Sequence, residues 1–166
     1  MSIISGEYIG HSGVKYIFEY EDCDDFSILP YELCRQIYGV CFYNGKMVIV
    51  KNGTKNLWGL VGGTVEKGES FEETLHREIK EESNMKVLDW KPVGFQKVID
   101  TRDNSIFYQL RVAATVIPYG GFIEDPAGSI TEIAIIDPAD YKQYFDWGKI
   151  GERIIERAEE FFNILK

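Results

Sequence analysis

The chain has 166 residues, 45% of them apolar and 27% charged, with a formal net charge of −9. A chain of that length is expected to fold as one domain over residues 1–166 and to bury about two-thirds of its unfolded surface. The negative balance argues against generic binding to nucleic acid or to an anionic membrane, although a cation bound in one site inverts the field there. The N-terminus has no basic region followed by an apolar core, so no signal peptide is expected, and no apolar run is long enough to span a bilayer. Cys23, Cys34 and Cys41 form no C-x-x-C pair and read as reduced packing residues of a cytoplasmic protein.

In chain order, residues 15–20 predict a strand, followed by the acidic run Glu21-Asp22-Cys23-Asp24-Asp25. That run reads as a solvated turn in preference to a second metal site. Residues 1–35 as a whole read as an N-terminal extension packed on the domain. Residues 37–43 and 47–51 are β-rich and joined through Asn44-Gly45, which predicts a hairpin. A glycine-rich stretch from Trp58 to Gly68 leads into a helix. Ser70 and Glu73 form a capping box at its start, and Asn84 stands at its C-terminal cap. Strands are predicted at 86–99, 106–116 and 131–136, with loops at 118–121 and 126–128. A last helix over 148–165 carries the apolar stripe Ile150, Ile154, Ala158, Phe161 and Leu165. Strands with two separated helices predict an α/β (α+β) arrangement, a mixed β-sheet packed between helices.

The first helix carries the chemistry. With Phe71 at zero on a wheel of about 100° per residue, Leu75 and Ile79 define a buried arc. Glu78 and Glu82 fall inside or beside that arc, and Glu81 falls about 80° to one side. Glu73, His76 and Lys80 cluster on the opposite, solvated side. Like charges at i,i+4 cost a few tenths of a kcal/mol, and burying unpaired charge costs several kcal/mol. The carboxylates are therefore expected to face a cation or a cleft, with pairing to a buried arginine or lysine as the bland alternative. Oxygen ligands without thiolate or imidazole suit Mg²⁺ or Mn²⁺. Gly62-Gly63 lets backbone approach such an ion, and the Gly63 carbonyl is a candidate ligand. Glu69 either orients Arg77 or reaches the metal, and a structural salt bridge to Glu69 is the expected role of Arg77.

These residues resemble the Nudix box, G-x5-E-x7-R-E-U-x-E-E-x-G-U with U aliphatic. It reads here as Gly63, Glu69, Arg77, Glu78, Ile79, Glu81, Glu82, Asn84 and Met85 over residues 63–85. Asn84 departs from the box glycine, and Val61 replaces a proline common before the paired glycines. Ser129 stands where many relatives carry a late glutamate, with Glu124 or Glu132 as possible substitutes. The resemblance implies a Nudix-like α/β/α sandwich around a mixed sheet. It implies a Mg²⁺- or Mn²⁺-dependent hydrolase that cleaves the diphosphate of a nucleoside diphosphate linked to another moiety. The substrate would be a nucleoside triphosphate or a nucleotide sugar, and a homodimer is possible. The alternative is a non-catalytic nucleotide-binding or sensor domain.

Carried over residue by residue, Glu78, Glu81 and Glu82 take the catalytic and metal-binding roles, with Gly63 as a further metal contact. Glu69 and Arg77 hold the box. Lys51, Trp58 and Glu132 are candidate substrate contacts, and Tyr38, Phe42, Phe107 and Tyr108 join Trp58 as aromatics able to stack a base.

Overall fold

The computed structural model describes residues 3–10, 12–123 and 128–163. His11, Glu124, Pro126, Ala127 and Leu165, all weighed in the sequence, lie outside them. Nine strands form one sheet: β1 (Ile4–Ile9), β2 (Lys15–Asp22), β3 (Cys34–Tyr43), β4 (Lys46–Asn52), β5 (Leu57–Gly59), β6 (Val61–Thr64), β7 (Met85–Asp100), β8 (Ile106–Pro118) and β9 (Ile130–Ile136). The helices are α1 (Phe71–Ser83) and α2 (Gly148–Phe161). The main path runs β1-β2-β7-β8-β3-β4-β5, with β6 paired to β3 and β9 to β4. Every pair is antiparallel except β3–β8, so the sheet is mixed.

Alternation along the strands sends side chains to opposite faces of the sheet. On β8, Leu110, Val112, Ala114 and Val116 join a buried cluster with Leu75 and Ile79 of α1. Ala113 points the other way and joins Ile150, Ile154 and Ala158 of α2. The helices therefore cover the two faces, giving the α/β/α sandwich expected from the sequence. The α2 stripe packs as read as far as Phe161, where the helix ends, earlier than the expected residue 165.

The hairpin at Asn44-Gly45 forms as read, with φ of 51° and 73° at its two central residues, the positive values a tight hairpin turn demands. Two features differ from the sequence reading. Residues 4–9 form a strand, and the glycine-rich stretch from Trp58 contains the end of β5 and all of β6. The acidic run that ends β2 is a solvated turn only in part: Asp24 and Asp25 are exposed, but Asp22 is not. The Asp22 side chain is 5% exposed and accepts from Arg153 Nε at 3.1 Å and Arg157 Nη1 at 3.3 Å. Arg157 also pairs with Asp24. Two arginines one helical turn apart on α2 thus gather the acids that close β2. The three cysteines are free and buried, as expected.

Candidate active site

Local sequence fixes both ends of α1. Ser70 Oγ accepts from the Glu73 N–H, and the Glu73 carboxylate accepts from the Ser70 N–H, each at 3.1 Å. At the far end Asn84 adopts φ 54° and donates its N–H to the Lys80 carbonyl at 2.9 Å. Asparagine tolerates this left-handed geometry at modest cost, so the departure from glycine leaves the cap intact. On the wheel, Glu73, His76 and Lys80 are exposed, whereas Glu78, Glu81 and Glu82 are half-buried.

Glu69 organises the loop before the helix. Its carboxylate accepts from Arg77 Nε at 2.7 Å, Arg77 Nη2 at 2.8 Å, Thr74 Oγ1 at 2.9 Å and the Glu66 N–H at 2.9 Å. The Arg77 hydrogen bonds lead these effects and hold its pKa down to about 2. Arg77 Nη2 also donates to the Thr64 carbonyl at 2.9 Å, tying helix, loop and β6 together. The Tyr31 hydroxyl adds a bond to the Glu69 carbonyl at 2.6 Å, while its ring stacks on Phe71.

The other edge of Arg77 faces the remaining acids. Nη1 lies 2.8 Å from Glu78 Oε1, 3.3 Å from Glu81 Oε2 and 3.8 Å from Glu66 Oε1. One guanidinium therefore meets four carboxylates, Glu69 included, and its hydrogen bonds to Glu69, then to Glu78, raise its pKa above the ordinary arginine value. Glu82 completes the set one turn beyond Glu78, accepting the Gly62 N–H at 3.0 Å. A Cβ on Gly63 would fall 2.5 Å from the Glu78 carboxyl carbon, so that carboxylate lies directly against the β6 backbone. Among the described residues no three His, Cys, Asp or Glu side chains form a ready-made ion cage. Between Glu78 and Glu81 stands Arg77 Nη1, a cation in the place the acids surround.

A cleft of about 370 Å³ opens beside this helix. Gly62 and Glu82 line it, together with Tyr38, Trp58, Arg111 and Trp147. Lys51 and Glu132 do not. They sit opposite each other in the β4–β9 register and pair at 3.1 Å. Of the aromatic candidates, Tyr38 and Trp58 line the cleft. Phe42 is in the core, Phe107 lies under Arg35 and Tyr108 packs edge-on against Phe95. The Ser129 carbonyl accepts the Gly53 N–H at 2.9 Å.

Arg111 was not singled out by the sequence reading. It stands on β8 directly across from Tyr38 of β3, its guanidinium 5.1 Å from the tyrosine ring centre. Burial pushes its pKa down to about 10. The available signal was a lone arginine in the run Leu110 to Val116, otherwise free of charge.

The NUDIX domain family model matches residues 35–157. A curated relative from Deinococcus radiodurans, named "Nudix hydrolase", is 39% identical over 61 residues, 34% of this chain and 36% of the relative's length. The match thus spans about a third of that protein. Among solved structures, the Bacillus subtilis pyrophosphohydrolase BsRppH superposes with a TM-score of 0.71 at 15% identity, covering 96% of this chain and 99% of that one. A NUDIX hydrolase from Nitrosomonas europaea gives 0.59 at 17% identity, covering 80% and 96%. At these identities the two structures show a shared fold.

Proposed function

This chain belongs to the NUDIX family, and on that premise we propose that it hydrolyses the diphosphate linkage of a nucleoside diphosphate joined to another group. The substrate class is a nucleoside triphosphate or a nucleotide sugar. The observation that carries this reading is the charge imbalance around Arg77, where Glu66 and Glu69 of the preceding loop and Glu78 and Glu81 of α1 face one guanidinium. Glu69, Glu78 and Glu81 are half-buried, and such an excess of negative charge is costly unless a further cation joins it.

A divalent ion fits the donor set. Every candidate ligand is an oxygen, and the missing Cβ at Gly63 brings backbone against the Glu78 carboxylate, the environment Mg²⁺ or Mn²⁺ prefers. Glu78, Glu81, Glu82 and the Gly63 carbonyl would hold it. When bound, such an ion neutralises diphosphate charge and makes water a better nucleophile.

The chain's own residues supply the rest. Glu69 and Arg77 fix the loop against α1 and β6. The Gly62 N–H holds Glu82 Oε1 at the end of the cleft. Tyr38, Trp58 and Trp147 flank the space for the organic part of the substrate. A carboxylate oxygen of the α1 set accepts the proton of the attacking water. The water oxygen bonds to phosphorus as the bridging P–O bond breaks, and the leaving phosphate takes the electron pair.

The pairing of Arg77 with Glu78 and Glu81 favours one other reading, a nucleotide-binding domain without turnover. Product release from a panel of nucleoside triphosphates, sugar nucleotides, ADP-ribose and dinucleoside polyphosphates with Mg²⁺ separates the two. Turnover of at least one compound is expected, reduced about a hundredfold or more in Glu82→Gln. Saturable binding without turnover under any divalent ion would establish the alternative. Turnover indifferent to Glu82→Gln would remove the assigned site.

A further inference from the structure

A second chamber, of about 540 Å³, adjoins the cleft and shares Tyr8, Gln109, Arg111 and Trp147 with it. Its other walls are Gly6, Glu7 and Phe18 from the β1–β2 hairpin and the start of α2. The hairpin residues precede the segment matched by the family model. No α1 residue lines this chamber. We propose that the chamber receives the nucleotide's base and that Arg111 makes it selective for guanine. This deepens the reading above and rests on it for the ligand being a nucleotide.

The walls suit a flat ring. Tyr8 stacks on Phe18 with centroids 5.9 Å apart and planes 13° apart, and Trp147, packed on Phe145 and 41% exposed, lines the same chamber. Exposed aromatics facing a shared hollow offer the π-surfaces on which bases stack. Gln96, Gln109 and Arg111 add polar groups to the lining. Gln96 Nε2 donates to Gln109 Oε1 at 2.8 Å, and Gln109 Nε2 donates to Gln36 Oε1 at 2.6 Å. Both ends of the Gln109 amide are thus engaged in a ladder across three strands.

Apart from the Tyr38 ring, Arg111 is left with poor partners. Nη1 reaches the Leu110 carbonyl and Nη2 reaches Gln109 Oε1, each at 3.3 Å, while Nε is buried with no acceptor. No carboxylate pairs with it among the described residues, and the side chain is 5% exposed. A buried, under-satisfied guanidinium is a standing demand for acceptors. Guanidinium only donates, so the matching base edge carries two adjacent acceptors, which guanine offers through O6 and N7. Adenine sets its N6 donor beside N7, and cytosine presents a donor at N4. Asp146, whose Oδ1 accepts the Gly148 N–H at 2.9 Å, is an acid on the chamber wall that opposes a phosphate there, whereas the Glu7 carboxylate pairs with Lys15 at 3.1 Å.

Calorimetric titration of the full chain with GMP, AMP and UMP, without metal, tests this independently of turnover. GMP is expected to bind at least about tenfold more tightly than AMP or UMP. Arg111→Gln should erase the preference. Trp147→Ala should weaken all three ligands while keeping their order. Equal binding of GMP and AMP to the unaltered protein overturns the proposal. So does a preference that survives Arg111→Gln. Should that variant fail to fold, unchanged GMP binding by Trp147→Ala overturns it. Guanine selectivity without hydrolysis would sink only the hydrolase reading, and hydrolysis without base selectivity only this one.

Discussion

Gly62 and Gly63 are neighbours on β6, yet each is glycine for its own reason. A Cβ on Gly62 would meet the Ile37 carbonyl at 2.1 Å and the Tyr38 Cα at 2.6 Å, both backbone. The three atoms nearest a Cβ on Gly63 all belong to the end of the Glu78 side chain. Gly62→Ala must therefore move strands, and we expect it to cost about 3 kcal/mol in denaturant unfolding. Gly63→Ala should fold with a smaller loss but displace Glu78, so turnover falls far more than stability. Equal stability losses with activity retained in Gly63→Ala would show that Glu78 has no role there. Glu69 belongs to the same scale. Its pKa is lowered from the ordinary 4.5 to about 2 by Arg77. The stabilisation it brings is complete above about 4.5 and is lost as pH falls through about 2. Thermal unfolding should show that acid loss, and Glu69→Gln should flatten it. An unchanged acid limb in the variant would mean that other groups govern the transition. These residues were legible because their partners lie within a few turns of chain, close enough for spacing alone to pair Glu69 with Arg77.

At the scale of elements, legibility followed the range of the interactions. The capping box, the Asn44-Gly45 turn and the α2 stripe are written in contiguous residues and formed as read. Strand β1 was not, because Gly6 interrupts a short apolar pattern and pairing with β2 defines the strand. β5 and β6 lay hidden in a glycine-rich stretch for a similar reason: what makes β6 a strand is its register with β3, not its own propensity. The acids after β2 misled most. Asp22 looked solvated because Arg153 and Arg157 lie more than a hundred residues away in sequence. That cluster locks the β1–β2 hairpin to α2, and these two elements form the walls of the second chamber. Asp22→Ala leaves two arginines without their shared partner and should cost about 3 kcal/mol, seen as a lower urea midpoint. A loss within the scatter of surface substitutions would show that the hairpin is held by apolar packing alone.

Over the whole molecule, the sandwich brings two sets of groups to adjoining hollows. From the α1 acids and the β6 glycines, Glu82 and Gly62 line the cleft, while Tyr8, Arg111 and Trp147 line both the cleft and the second chamber. The first set is close in sequence, so composition, spacing and the family resemblance reached it. The second is assembled from β1, β2, β8 and the start of α2, so only the fold brings Tyr8, Arg111 and Trp147 together. Nothing in the sequence paired Lys51 with Glu132 either, because that contact depends on the β4–β9 register. No helix among the described residues is long and apolar enough to cross a membrane.

Convergence of the α1 acids on a divalent cation is tested without any substrate by electron paramagnetic resonance of free Mn²⁺ during titration with the protein. The free-ion signal is expected to fall as protein is added, and Glu78→Gln combined with Glu82→Gln should weaken binding at least tenfold while the fold, followed by circular dichroism, persists. A free-ion signal that ignores the protein, or one that falls equally for the double variant, would contradict that convergence.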